Sequence, residues 1–143
     1  MWNRAGHLLC HAVRWLMGGV AYGWIEIFYR GYTHWTMIVL AAALCVPLDL
    51  ANDTIIEWDT PLWLQALMGG SIITAAEFAA GLVLNMWLGL DVWDYSALPG
   101  NLLGQVCPQF WALWCLLALP TIIGFDWLCW MMDDGEAPRY RIF

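Results

Sequence analysis

Apolar residues fill this chain in four long blocks, at about residues 14–29, 35–50, 62–88 and 102–131. A helix needs roughly 20 residues to cross the hydrocarbon core of a bilayer. The pattern therefore predicts an all-α, polytopic transmembrane bundle of about four spans joined by short loops. The first two blocks are short for a span, and the third is long enough to tilt or break. Pro47 should end or kink the second helix, and Pro108 and Pro120 should bend the fourth. Residues 31–35 leave room only for an antiparallel hairpin, or for a helix lying in the interface. Residues 49–60 read as an acidic loop, and 91–101 as a loop with a dense motif. The division this suggests is a helical membrane domain over 1–132 and a polar tail over 133–143.

Composition strengthens the membrane reading. The chain is 62% hydrophobic and only 12% charged, against about a quarter charged in a soluble domain. Twelve tryptophans suit a protein with two membrane–water interfaces, where an indole has an apolar body and a wet N–H. The cysteines, Cys10, Cys45, Cys107, Cys115 and Cys129, are scattered and form no C-x-x-C. They read as small buried hydrophobes, with neither a disulfide frame nor a metal site. The N-terminus shows no convincing small-residue cleavage site, so a removed signal peptide is not expected.

Charge excludes several functions. There is no lysine; the cations are Arg4, Arg14, Arg30, Arg139 and Arg141. A Walker A lysine, a Schiff-base lysine and a basic nucleic-acid surface are all ruled out. Any ATP site must come from another chain. The net charge of −7 arises mainly from Asp49, Asp53, Glu57, Asp59, Asp91, Asp94, Asp133, Asp134 and Glu136, read as solvated loop and tail charges. With an even number of spans, Arg4, Arg14, Arg139 and Arg141 share one side and Arg30 stands on the other. The excess of arginine favours termini in the cytoplasm.

One ionisable residue, Glu77, lies within the longest apolar run, residues 61–90. A carboxylate at bilayer depth costs about 2.5–3.5 kcal/mol on insertion scales. Gly69, Ile73, Glu77, Gly81 and Asn85 recur every four residues, with Gly70 and Thr74 beside them. This is a stripe of small and polar positions, so Gly69, Gly70 and Gly81 are candidate helix-packing sites. Glu77 should face protein or a wet cavity. Two roles remain open for it: a protonated group that binds a neighbouring helix, or a relay or counter-charge for a proton, cation or substrate.

Glu26 and Arg30 stand one turn apart in the favourable order for an ion pair. The pair either holds the membrane surface locally, or Arg30 reaches Glu77 or an anionic ligand. Further on, Trp93-Asp94-Tyr95-Ser96 is followed by Pro99-Gly100-Asn101 and Gly104-Gln105. Trp93, Tyr95 and Ser96 suit an interfacial motif, and Asn101 is a good N-cap for the fourth helix, with Gly104 and Gln105 in its first turns. Alternatively Asp94, Asn101 and Gln105 line the mouth of a polar cavity above Asn85 and Glu77. His7, Cys10 and His11 can share a helix face, but no carboxylate accompanies them in sequence, so no metal is expected. Neither Ser71 nor Ser96 sits in a nucleophile elbow. An Asp94–Glu77 carboxylate pair would span about 25 Å of continuous helix, so it would need a break near Gly89. No enzyme chemistry and no cofactor is expected.

Residues 23–37 (GWIEIFYRGYTHWTM), 77–96 (EFAAGLVLNMWLGLDVWDYS) and 99–107 (PGNLLGQVC), with Pro138-Arg139-Tyr140, carry a resemblance. They are similar to a family of small bacterial membrane proteins catalogued as putative ABC-transporter type IV, or CmpB-like. The resemblance covers the chain from about Tyr22 onward. Its polar set falls on Glu26, Tyr29, Arg30, Glu77, Gly81, Asn85, Trp93, Asp94, Tyr95, Ser96, Asn101, Gly104 and Gln105. Gly100 stands where a Phe is usual, and lysine-rich loops are missing. The resemblance implies a helical protein of the bacterial inner membrane without its own ATPase domain.

The function expected from these readings is a small transport protein or transporter component. Its polar site would use Glu26, Arg30, Glu77 and Asn85, with Asp94, Asn101 and Gln105 as further binding residues. Its surroundings would be the lipid bilayer and either further copies of itself or a partner membrane subunit. The alternative is a scaffold that binds a lipid or protein and carries no flux.

Overall fold

The computed structural model describes residues 4–133 and 137–143, with the side chains of Arg4, Ala5, His7, Arg30 and Asp133 outside the described set. The chain forms α1 (Arg4–Arg30), α2 (Trp35–Thr54), α3 (Leu62–Gly81) and α4 (Pro108–Asp133). A π-helical segment, Leu82–Trp87, prolongs α3. The architecture is all-α, as the apolar blocks predict. Among the described residues, three helices are long and apolar enough to cross a membrane: α2, α3 with its π-helical extension, and α4 to Met132. The longest helix, α1, falls outside that set because polar and small residues interrupt it.

Two boundaries differ from expectation. Pro47 does not end α2, which continues to Thr54. A proline removes only one helical hydrogen bond, and packing against neighbouring helices tolerates that. Asp49 and Asp53 are consequently helical, and Asp49 is fully buried, not a solvated loop charge. The second difference is the start of α4 at Pro108. Pro108 opens the helix, where a missing N–H is harmless, and does not bend it. Asn101, Gly104 and Gln105 belong to the preceding loop, so Asn101 does not cap α4.

Close approach organises the bundle. A Cβ on Gly70 would lie 2.6 Å from both Cα and N of Cys115, so the backbones of α3 and α4 touch there. Gly69 faces Ala118, Leu48 and Ile122. The core follows from this crossing: Leu48, Ile73, Trp114, Ala118 and Ile122 pack together with Ile56. On the other side α1 lies antiparallel to α2, with Gly18 on Cys45, Gly19 on Ala42 and Gly23 on Ile38. α2 also packs on α3, and α4 on α1, whereas among the described residues the backbones of α1 and α3 stay apart. The outer faces present Leu16, Trp24, Phe28 and Leu116, as a lipid-facing surface requires.

The ends are tied by specific bonds. The buried Gln65 amide donates to Thr60 O at 2.8 Å, fixing the turn that enters α3. The tail returns to that same turn, where Leu62 N donates to Arg141 O at 2.7 Å. At the other end, Leu88 N donates to Val83 O at 2.9 Å, a five-residue step that widens the last turn. Gly89 (φ 65°) then reverses the chain into the loop over residues 88–107.

Candidate functional site

Glu77 is 4% exposed and held by two donors. The Tyr95 hydroxyl donates to Oε1 at 3.0 Å, and the Trp114 indole N–H donates to Oε2 at 2.8 Å. Each donor is itself positioned. Tyr95 stacks on Phe110 with ring centroids 4.4 Å apart, and Trp114 packs against Tyr22 at 6.0 Å. Burial first, then the neighbouring carboxylate, pushes the Tyr95 phenol well above its ordinary value, so it stays a donor.

The carboxylate faces a cavity of about 120 Å³. This space is enclosed by all four helices. Gly18, Ala21, Tyr22 and Ile25 wall it from α1, Leu40, Ala41 and Leu44 from α2, Ile73 and Glu77 from α3, and Trp114, Leu117 and Thr121 from α4. Trp93 and Tyr95 close it from the loop. Among the described residues, no arginine or histidine pairs with Glu77.

Of the other residues singled out from the sequence, Tyr95 and Trp93 reach the Glu77 cavity, whereas Glu26, Asn85, Asp94, Asn101 and Gln105 do not line it. Glu26 is buried and accepts from the Thr33 hydroxyl at 2.5 Å, but it does not line the cavity. Arg30 ends α1, and its side chain lies outside the described residues, as does that of His7. Asn85 is buried. Its amide donates to Trp93 O at 3.0 Å and Gln105 Oε1 at 2.8 Å, while Oδ1 accepts from Val92 N at 2.8 Å. Gln105 accepts at its carbonyl from the Trp93 indole at 3.0 Å and donates to Leu103 O at 3.1 Å. Gly81 lets this knot form: a Cβ there would stand 2.5 Å from Gln105 Oε1.

Asp94 and Asn101 wire the loop internally. Asp94 is exposed and accepts from the backbone N–H and the hydroxyl of Ser96, both at 2.8 Å. These donors hold its carboxyl below the ordinary value. Asn101 donates to Ser96 O at 3.1 Å and Leu98 O at 2.8 Å, and accepts from Gly104 N at 2.9 Å. Leu103 (φ 53°) and Gly104 (φ 69°) are the centre of a turn closed by Gln105 N to Leu102 O at 3.0 Å. Positive φ at both central positions is the type I′ pattern. The net effect is to deliver Tyr95, not Asp94, to Glu77.

A second polar cluster lies near the opposite end of the bundle. Arg14, 2% exposed, donates through Nη1 to Asp49 Oδ1, and to Asp53 Oδ1 at 3.2 Å. Asp49 Oδ2 meets His11 Nδ1 and the Trp15 indole N–H, each at 2.7 Å. Arg14 Nη2 donates to Cys129 Sγ at 2.7 Å, and Cys10 Sγ is 3.4 Å from that sulfur. Asn52 and Tyr140 both donate to Asp126, at 2.6 and 3.0 Å. His11, Asp49 and Asp53 offer ligand atoms within 4.8 Å of one another. Arg14, however, already supplies the positive charge between the two carboxylates, so the group reads as an ion-pair network. Its signal in sequence was spacing: His11 and Arg14 are one turn apart on α1, and Asp49 and Asp53 one turn apart on α2.

The model of the family described as "Putative ABC-transporter type IV" matches residues 7–131. The chain belongs to this family. The match encloses the Glu77 clamp and the Arg14–Asp49 network, and stops short of Tyr140. No curated protein and no solved structure matches the chain.

Proposed function

We propose that the chain is a membrane-embedded transporter or transporter component whose working site is the cavity enclosed by its four helices, with Glu77 as its charged group. The family description points to transport. The observation that carries the reading is the Glu77 carboxylate itself, buried on a cavity wall with no cation pairing with it among the described residues. A buried carboxyl with no cation beside it either takes up a proton or receives a cation from outside, and both suit a site that handles charge. Glu26 and Asn85 act at a distance here, as supports of the α1–α2 hairpin and of the loop. No lysine is present for a Walker A site, so any ATP-driven step would be supplied from outside these residues.

The lengthwise pairing of α1 with α2, from Gly23 on Ile38 to Arg14 on Asp49, supports α1 as a fourth crossing helix. Both termini then share the arginine-rich side, which favours a cytoplasmic placement at a bacterial inner membrane.

The test uses the native host. Cells with and without the chain are compared for tolerance to growth-inhibiting solutes that include cations, anions and neutral compounds. At least one class should shift, and Glu77→Gln at equal membrane abundance should behave like the deletion. An unchanged profile, or a shift that Glu77→Gln retains, overturns the reading in favour of a scaffold.

A further inference from the structure

The wall around Glu77 is more specific than a transport role requires. Four aromatic side chains, Tyr22, Trp93, Tyr95 and Trp114, share the cavity with a single carboxylate. The hydrogen-bond donors of three of them are engaged with protein acceptors: Tyr95 and Trp114 with Glu77, and Trp93 with Gln105 O. Thr121, also on the wall, donates to Leu117 O at 2.7 Å. The remaining surface is mainly apolar, from Leu40, Leu44 and Ile73, with the soft sulfurs of Met37 and Cys45 among them.

We infer that this cavity binds the head group of a weakly hydrated organic monocation of the quaternary ammonium class. The inference rests on the cavity being the working site proposed above. One carboxylate balances one positive charge. Aromatic faces attract a cation, more strongly when it is desolvated. A metal ion or guanidinium wants several convergent charged or carbonyl acceptors, and beside the one carboxylate this wall offers only the Tyr22, Tyr95 and Thr121 hydroxyl oxygens. A fully alkylated nitrogen has no N–H to satisfy and presents a methyl surface to the apolar wall. An anion would face the carboxylate, and a neutral head would leave it uncompensated. Size agrees: about 120 Å³ is close to the roughly 150 Å³ of a cavity that admits benzene.

The experiment measures binding of benzyltrimethylammonium to the full chain purified in detergent. The comparison ligand is neopentylbenzene, which replaces the charged nitrogen with carbon at the same shape. The cation should bind at least tenfold more tightly than the isostere, and Glu77→Gln should erase that preference. Ala41→Leu fills the cavity from α2 while keeping the Glu77 carboxyl, and should weaken both ligands. Size-exclusion profile and thermal melt establish that each variant is folded. Equal affinity for cation and isostere in the wild type, or a preference that survives Glu77→Gln, overturns the inference. The two readings fail separately. A Glu77-dependent tolerance shift confined to anions or neutral solutes keeps the transport role and overturns the cation site. Selective cation binding with no tolerance shift keeps the site and overturns transport.

Discussion

The Trp114 indole of α4 donates a 2.8 Å hydrogen bond to the Glu77 carboxylate of α3. That bond lies beside the crossing where Gly70 meets Cys115, so the packing that builds the core also sets the geometry of the site. Tyr95 completes the clamp from a loop with several left-handed residues. Trp114→Phe and Tyr95→Phe each delete one donor while leaving a ring in place. A hydrogen bond to a charged group contributes about 1.5–3 kcal/mol. Each variant should therefore lower the thermal midpoint in detergent measurably. The double variant should depart from additivity, because both donors share one carboxylate. Wild-type stability in both single variants would refute the clamp.

Glycine placement gives a paired prediction on α3 and α4. Gly70→Ala puts a methyl 2.6 Å from backbone atoms of Cys115, which cannot swing aside. Such overpacking costs about 1–3 kcal/mol. Gly124 has no heavy atom within 4 Å of an added Cβ and lies exposed on α4. Gly124→Ala should be neutral or stabilising by up to about 1 kcal/mol through helix propensity. Thermal melts of the two variants should move in opposite directions or differ clearly in size; equal shifts would contradict the crossing.

The Arg14–Asp49 contact predicts a cost for breaking a buried ion pair from one side. Asp49 is fully buried and Arg14 nearly so. Arg14→Met leaves the Asp49 carboxylate with only His11 and Trp15, and removal of one partner of a buried pair costs about 3–5 kcal/mol. Adding Asp49→Leu should restore much of the lost yield and thermal stability, since replacing both partners with apolar groups is often close to neutral. A double variant less stable than Arg14→Met would show that the pair is not the stabilising unit.

How much of this was legible in the sequence differs by element. The helices were readable because apolar blocks of that length have few alternatives in a bilayer. Glu77 stood out because it is the one ionisable residue in its run. Its clamp was harder to see. Tyr95 looks like any interfacial tyrosine until Gly89 and the Leu103–Gly104 turn fold the loop back, and Trp114 is one aromatic among twelve tryptophans. The start of α4 was misplaced because Leu102, Leu103 and Val106 are apolar yet serve a hairpin. Pro47 invites an end to α2 in the sequence, which would place Asp49, a buried helical acid, in a loop. Long-range pairings such as His11 and Arg14 with Asp49 and Asp53 leave only a spacing pattern in each partner, and that pattern acquires meaning once the hairpin register is known.

Asp94 supplies a pH prediction with a definite sign. Its carboxyl is held below the ordinary value of 3.8 by the Ser96 N–H and hydroxyl. A depressed carboxylate adds stability that is complete above the unfolded value and disappears as pH falls through the lower folded value. The loop should therefore keep its resistance to limited proteolysis at neutral and mildly acidic pH, and lose the Asp94 contribution only below pH 3.8. Asp94→Asn should be cut faster than wild type at pH 7, with the difference closing at the acidic extreme. A difference that already vanishes near pH 6 would mean that another group titrates.

The pair Cys10–Cys129 tests the packing of α1 against α4. The sulfurs are 3.4 Å apart, on residues at opposite ends of the chain. A mild thiol oxidant such as copper phenanthroline, applied to the folded protein, should join them. The product is an intramolecular link that closes most of the chain into one loop and quickens migration on a non-reducing gel. Cys10→Ser or Cys129→Ser should each abolish the shift. Cys115 packs against Gly70 and Cys45 against Gly18, so neither should replace a missing partner. Failure to cross-link in wild-type protein whose thiols react with a small maleimide would place α1 elsewhere on the bundle.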